Sequence, residues 1–83
     1  MDTPRTMRQP MSQRAVPVVR RRLARHLRAI RGAQGLTQAA LSRKCGLTDK
    51  FIGEVERGTK SLTVDSLARV AKALGVAPGA LLA

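Results

Sequence analysis

Side chains able to do covalent or metal chemistry are scarce in this sequence, and cations are abundant. His26 and Cys45 are the only histidine and cysteine, and the five carboxylates (Asp2, Asp49, Glu54, Glu56, Asp65) are scattered. No nucleophile has a base at a useful spacing and no paired acid–base constellation exists, so an enzyme is not expected. One His, one Cys and dispersed acids are too few ligands for an ordinary structural zinc site; neither a metal, an organic cofactor nor a small-molecule ligand is expected. Cys45 has no disulfide partner, which fits a reducing, cytoplasmic setting, and it falls at an apolar position as an inert core thiol. His26 reads as a surface or half-buried residue. Sixteen Lys and Arg against five acids give the 83-residue chain a formal net charge of +11. Such a balance directs it to a polyanionic partner. With no Trp or Tyr and one Phe, the stacking platforms of single-strand and RNA readers are missing.

The elements that must carry these cations follow from periodicity. Residues 1–31 hold nine arginines against Asp2, so most of the excess charge lies at the start of the chain. Residues 1–17, with Pro4, Pro10 and Pro17 and no apolar period, read as a basic, disordered arm. Residues 18–83 form the folded domain. Val19, Leu23, Leu27 and Ile30 share one helical face, with arginines on the others. Thr37 caps a second helix holding Leu41 and Cys45 and ended by Gly46. Thr48 caps a third with Phe51, Ile52 and Val55, closed by Gly58. Thr63 caps a fourth with Val64, Leu67, Val70, Ala71 and Leu74, ended by Gly75. Pro78 opens a last short turn or helix with Leu81 and Leu82. The expectation is an all-α domain of five short helices. No uncharged run approaches the roughly 20 residues of a membrane span.

Residues 37–58 (TQAALSRKCGLTDKFIGEVERG) have the make-up of two short helices packed across a tight turn. Ser42 is small enough to face the partner helix, Gly46 makes the turn, and Leu41, Cys45, Leu47, Ile52 and Val55 lock the pair. A helix presented in this way fits the major groove of B-DNA. Together with Gly35-Leu36-Thr37-Gln38, Glu56-Arg57-Gly58 and the LARVAKALGV run of residues 67–76, this stretch resembles the lambda-repressor-like, Cro-type helix-turn-helix family. The likeness runs without a gap from about Val19 to Leu82. Leu62-Thr63 stands where many members have Pro-Ser, and in that detail and in size the chain is similar to restriction–modification controller proteins.

The resemblance implies a compact five-helix DNA-binding domain with the helix-turn-helix at helices 2 and 3. It places Thr37 and Gln38 against a phosphate at the N-terminus of helix 2, with Gln38 buttressing helix 3; otherwise Gln38 is a solvated first-turn residue. Thr48, Asp49, Lys50 and Glu54 take the positions that face base edges, with Gly53 between them. Lys50 could donate to guanine, and Asp49 and Glu54 could accept from cytosine. Equally, Asp49 could serve the helix dipole and Glu54 could pair with Lys50. Gly53 costs about 1 kcal/mol against Ala in a helix, so it marks either close backbone approach to DNA or ordinary tolerance. Arg31 and Glu56 match the family's ion pair between helices 1 and 3. The loop Arg57, Thr59, Lys60, Ser61 would follow a phosphate backbone. Arg20, Arg21 and Arg22, with Arg25 and Arg28, are either a solvated face or further phosphate contacts.

The function expected is a sequence-specific double-stranded-DNA-binding transcription regulator, a homodimer on a pseudo-palindromic operator. Val76, Ala80, Leu81 and Leu82 are apolar enough to form the dimer surface. A protein-interaction module on the same scaffold, such as an antitoxin or adaptor, is the alternative, supported by Asp49 and Glu54. A membrane-surface role for residues 19–31 is weaker, because their apolar stripe is accounted for as core.

Overall fold

The computed structural model describes residues 11–83, with side chains from Ala15 onward. Four α-helices follow one another: α1 (Met11–Ala33), α2 (Gln38–Cys45), α3 (Asp49–Glu56) and α4 (Val64–Leu74), and a 3₁₀ turn closes the chain at Pro78–Leu81. No strand occurs among the described residues.

Local chemistry sets the helix ends. The Oγ1 atoms of Thr37, Thr48 and Thr63 accept from the backbone N–H groups of Ala40, Phe51 and Ser66 at 3.0–3.1 Å. Each cap satisfies one donor that its helix would otherwise leave open, as expected of these three residues. Gly46 and Gly75 end α2 and α4 in the left-handed conformation (φ 75° and 70°), where a side chain would be strained. α3 ends one residue ahead of its glycine. Arg57 closes it with ordinary right-handed geometry, and Gly58 (φ 79°) then turns the chain into the loop to α4.

Three differences from the sequence reading have physical causes. α1 starts at Met11 and continues through Pro17, not at Val18. Proline removes its own N–H from the helix ladder and crowds the carbonyl of the preceding turn, a cost that the helix bears near its start, where Pro17 is exposed. Residues 11–17 of the expected arm are therefore helical, and residues 1–10 lie outside the described residues. The fifth helix is a single 3₁₀ turn, held by i→i+3 bonds from Ala80 N to Ala77 O and from Leu82 N to Gly79 O. Four residues opened by Pro78 are too few for the i→i+4 ladder of an α-helix. Val64, expected on the apolar face of α4, is 81 % exposed, since it is the first helical residue and precedes the packed turns.

Leu23, Leu27, Leu41, Cys45, Ile52, Val55, Val70, Ala71, Leu74 and Leu81 form one buried core drawn from all four helices and the terminal turn. Ser42 is buried in α2, and its hydroxyl donates to the Ala39 carbonyl at 2.7 Å, so a polar group enters the helix contact already satisfied. The Val16–Val19 face of α1 continues the core stripe past the body of the domain; Val19, expected in the core, is 43 % exposed.

Candidate nucleic-acid interface

The back of α3 is fixed by a buried carboxylate. Glu56 is 2 % exposed, a position that would be prohibitive for an unpaired charge. Arg31 from the end of α1 meets it with two parallel bonds, Nε to Oε2 at 2.5 Å and Nη2 to Oε1 at 2.8 Å. Gln38 Nε2, from the first turn of α2, adds a third bond to Oε1 at 3.0 Å. One carboxylate thus ties three helices together. Burial alone would raise the Glu56 pKa. The hydrogen bonds from Arg31 and Gln38, with the charges of Arg31 and Arg28, overcome that and hold it below its ordinary value. The Arg31 guanidinium is held above its usual range, chiefly by the hydrogen bond to Glu56. Arg31 also donates to the Leu36 carbonyl at 2.7 Å, which fixes the α1–α2 connection.

Gly53 has a structural use. It is buried, not exposed, and lies beneath two polar side chains. A carbon added there would stand 3.3 Å from both Gln38 Oε1 and Arg57 Nη1. The missing side chain lets Gln38 lie across the α3 backbone on its way to Glu56. The close approach that Gly53 allows here is made by side chains of the protein itself.

The exposed side of α3 begins with Thr48, Asp49 and Lys50. Asp49 Oδ1 accepts from the Lys50 backbone N–H at 2.8 Å, so one carboxylate oxygen serves the helix N-terminus. Glu54 is half-buried and makes no ion pair with Lys50; Arg31–Glu56 is the one ion pair among the described residues. Beyond α3, both the N–H and the hydroxyl of Thr59 donate to the Glu54 carbonyl, at 3.1 and 3.0 Å. That pair of hydrogen bonds to one oxygen pins the loop, and Arg57, Lys60 and Ser61 are exposed beside α3. Thr37 is exposed and Gln38 half-buried at the α2 N-terminus, where unpaired amides and the positive end of the helix dipole suit an anion. Arg21 and Arg22 are exposed. Arg20 is half-buried, and its Nε lies buried without a partner.

Two polar contacts had no signature in the sequence because each partner is a backbone carbonyl. Arg28, read only as part of a basic face, donates through Nη1 to the Glu56 carbonyl at the end of α3, where a cation complements the helix dipole. Gln34 Nε2 donates to the Leu74 carbonyl at 2.6 Å. Among the expected dimer residues, Val76 is half-buried and Ala80 and Leu82 are exposed. Leu81 is 0 % exposed within its own chain, which withdraws it from any surface. Among the described residues, no three His, Cys, Asp or Glu side chains stand together as a metal site, and no helix is long and apolar enough to cross a membrane.

The helix-turn-helix family model (HTH_3) matches residues 27–81, from the middle of α1 to the terminal turn. The chain belongs to the helix-turn-helix family. Its architecture is similar to that of the restriction-modification controller protein C.AhdI from Aeromonas hydrophila, at 32 % identity and a TM-score of 0.73 over 75 % of this chain and 94 % of that one. It is also similar to the hypothetical transcription factor NHTF from Neisseria, at 35 % identity and a TM-score of 0.75 over 78 % and 75 % of the two chains. In sequence it is 38 % identical over 47 residues to the control protein C.BamHI of Bacillus amyloliquefaciens, covering 57 % of this chain and 58 % of that protein. The chain spans less than two thirds of the curated relatives that it matches in sequence. In helix-turn-helix terms, α2 and α3 are the paired helices, joined by the turn at Gly46.

Proposed function

We propose that the protein is a sequence-specific, double-stranded-DNA-binding transcription regulator that presents α3 to the major groove. The observation that carries this reading is the division of α3 into two sides. Its back is locked to α1 and α2 through Glu56, while Thr48, Asp49 and Lys50 stand exposed at its N-terminus. A recognition helix needs that combination, because base readout depends on holding the helix in one register. The α2 N-terminus with Thr37 and Gln38, and the loop with Arg57, Thr59, Lys60 and Ser61, supply phosphate contacts on either side. Kinship with the control protein C.BamHI and with the restriction-modification controller protein C.AhdI supports a regulatory role in transcription.

One such helix covers too few base pairs to select a site in a genome. The proposal therefore includes a homodimer on a pseudo-palindromic operator, with recognition helices about 34 Å apart. Val76, Ala80 and Leu82 remain as its candidate contact surface. Selection of bound duplexes from a random library tests the reading directly, and recovery of no shared sequence would overturn it. On the selected operator, Lys50→Ala is expected to lose about 1–3 kcal/mol and to relax the preference at a single base pair. Lys60→Ala is expected to weaken all duplexes alike and to reduce the salt slope by about one. Anisotropy titrations at several salt concentrations separate the two outcomes.

A further inference from the structure

α2 has a different neighbour on each flank. α3 packs on α2 and α1, whereas α4 packs on α2 and the terminal turn. Between α2 and α4 the surface opens into a shallow groove lined by Lys44, Cys45, Arg69, Lys72 and Ala73. Its floor is Cys45, 5 % exposed, and half-buried Ala73; its rim is the three exposed cations. The groove measures about 420 Å³, within the roughly 300–1,000 Å³ of ligand sites, so it has room for side chains of a partner.

Nothing in the domain neutralises this rim. No carboxylate lines the groove. Asp65, one turn before Arg69 on α4, makes no ion pair with it, since Arg31–Glu56 is the one ion pair among the described residues. Lys44 and Lys72 lie in the last turns of α2 and α4, where they complement the helix dipoles. Each helix end carries about −0.5 charge, so three cations against two ends leave a surplus of about +2. Lys44 and Cys45 also stand about 10 Å along α2 from the Thr37–Gln38 end that suits a phosphate. At this end the backbone presents carbonyls, not free N–H groups. A phosphodiester would gain no main-chain donor here and would leave the apolar floor uncovered. A protein segment with carboxylates beside an apolar side chain satisfies both rim and floor.

We propose that the α2–α4 groove is a docking surface for an acidic segment of a partner protein. The segment sets an apolar side chain on Cys45 and Ala73 and brings carboxylates to Lys44, Arg69 and Lys72. Its recognising groups are cations, which separates it from an interaction surface built on Asp49 and Glu54. The docking does not depend on the DNA-binding reading above.

The test uses the full chain and a fluorescein-labelled synthetic peptide of alternating Glu and Leu, with a second peptide in which Ser replaces Leu. Two triple variants are compared: Lys44→Gln, Arg69→Gln and Lys72→Gln together, and Arg22→Gln, Arg25→Gln and Arg43→Gln together. All these sites are exposed helical positions and glutamine is a good helix former, so both variants fold, and each loses the same charge. At about 0.15 M salt, charges more than about 8 Å from the peptide are largely screened. Anisotropy should show the groove variant binding the Glu–Leu peptide about tenfold more weakly, the order of three exposed ion pairs lost together. The other variant should stay close to wild type, and the Glu–Ser peptide should bind more weakly than the Glu–Leu peptide. In the wild-type protein, amide shifts on adding the Glu–Leu peptide should centre on Lys44, Cys45 and Ala73, a readout that needs no substitution. Equal losses in the two variants, equal affinity for the two peptides, or shifts centred on α3 would overturn the docking surface. So would a groove variant that binds a duplex of arbitrary sequence more weakly than the other variant does, because the rim would then serve phosphates. If the wild-type protein selects no shared DNA sequence, the regulator reading fails and this comparison still decides the groove.

Discussion

Arg31→Met is expected to destabilise the domain by about 3–5 kcal/mol at neutral pH, because it removes the principal partner of a carboxylate that has almost no access to water. Only 3 % of the Glu56 side chain is exposed, against 19 % of Arg31. That asymmetry decides which partner is worse to lose. In Glu56→Gln, the guanidinium retains the Leu36 carbonyl and some contact with water, so the loss is smaller. In Arg31→Met, the stranded charge is the buried one, opposed only by Gln38 and Arg28.

The pH dependence reverses between the two proteins. In the native chain, burial pushes the Glu56 pKa up, but the hydrogen bonds and nearby arginines bring it below the ordinary 4.5. The unfolded state then takes up the proton first as pH falls. The stabilisation is complete above about pH 4.5 and is lost as pH drops through the lower folded value. With Arg31 removed, the burial contribution prevails and the folded pKa rises above the unfolded one. Protonation then favours the folded variant, which regains stability as pH falls toward the unfolded value. Urea unfolding at about pH 7 and about pH 4 should show the gap between wild type and Arg31→Met narrowing with acid. A constant gap would mean that Glu56 is not the group stranded by the substitution.

The second large effect concerns two adjacent leucines. Leu81→Ala is expected to cost about 2–5 kcal/mol, the usual range for a leucine lost from a well-packed core. In a domain of this size that lowers the melting temperature by at least about 8 °C. Leu81 is fully buried among Leu23, Leu27, Val70 and Leu74, although the 3₁₀ turn that carries it is only four residues long. Leu82, 37 % exposed, should change unfolding stability by no more than about 0.5 kcal/mol when truncated. Its effect belongs to association: sedimentation measurements should show Leu82→Ala dissociating at higher protein concentration than wild type if the terminal turn is the dimer surface. A Leu81→Ala variant that melts with the wild type would contradict the burial of the turn.

Much of the fold was legible along the chain because the signals are local. Thr37, Thr48 and Thr63 cap helices through a bond to an N–H three residues on, a relation wholly contained in the sequence. Gly46 and Gly75 stop helices by their own backbone freedom. The apolar period placed Leu23, Leu27, Leu41, Ile52, Val55 and Val70 on inward faces, where all are buried. The periodicity failed where the core runs out. Val19, partway along α1, and Val64, at the start of α4, have the right phase but stay exposed, and Pro17 was read as a boundary although an exposed helix can continue through it.

Residue type and spacing by themselves determined an all-helical chain, its caps and turns and its excess of cations. They did so because helix formation and capping act over three or four residues. Only the tertiary structure decided between near-identical neighbours, with Leu81 inside and Leu82 outside, and it set Gly53 beneath Gln38. Those outcomes depend on which distant element crosses a given face, and on backbone carbonyls such as those of Glu56 and Leu81 that take hydrogen bonds from remote side chains. A carbonyl is present in every residue, so its choice of partner leaves no trace in the order of side chains.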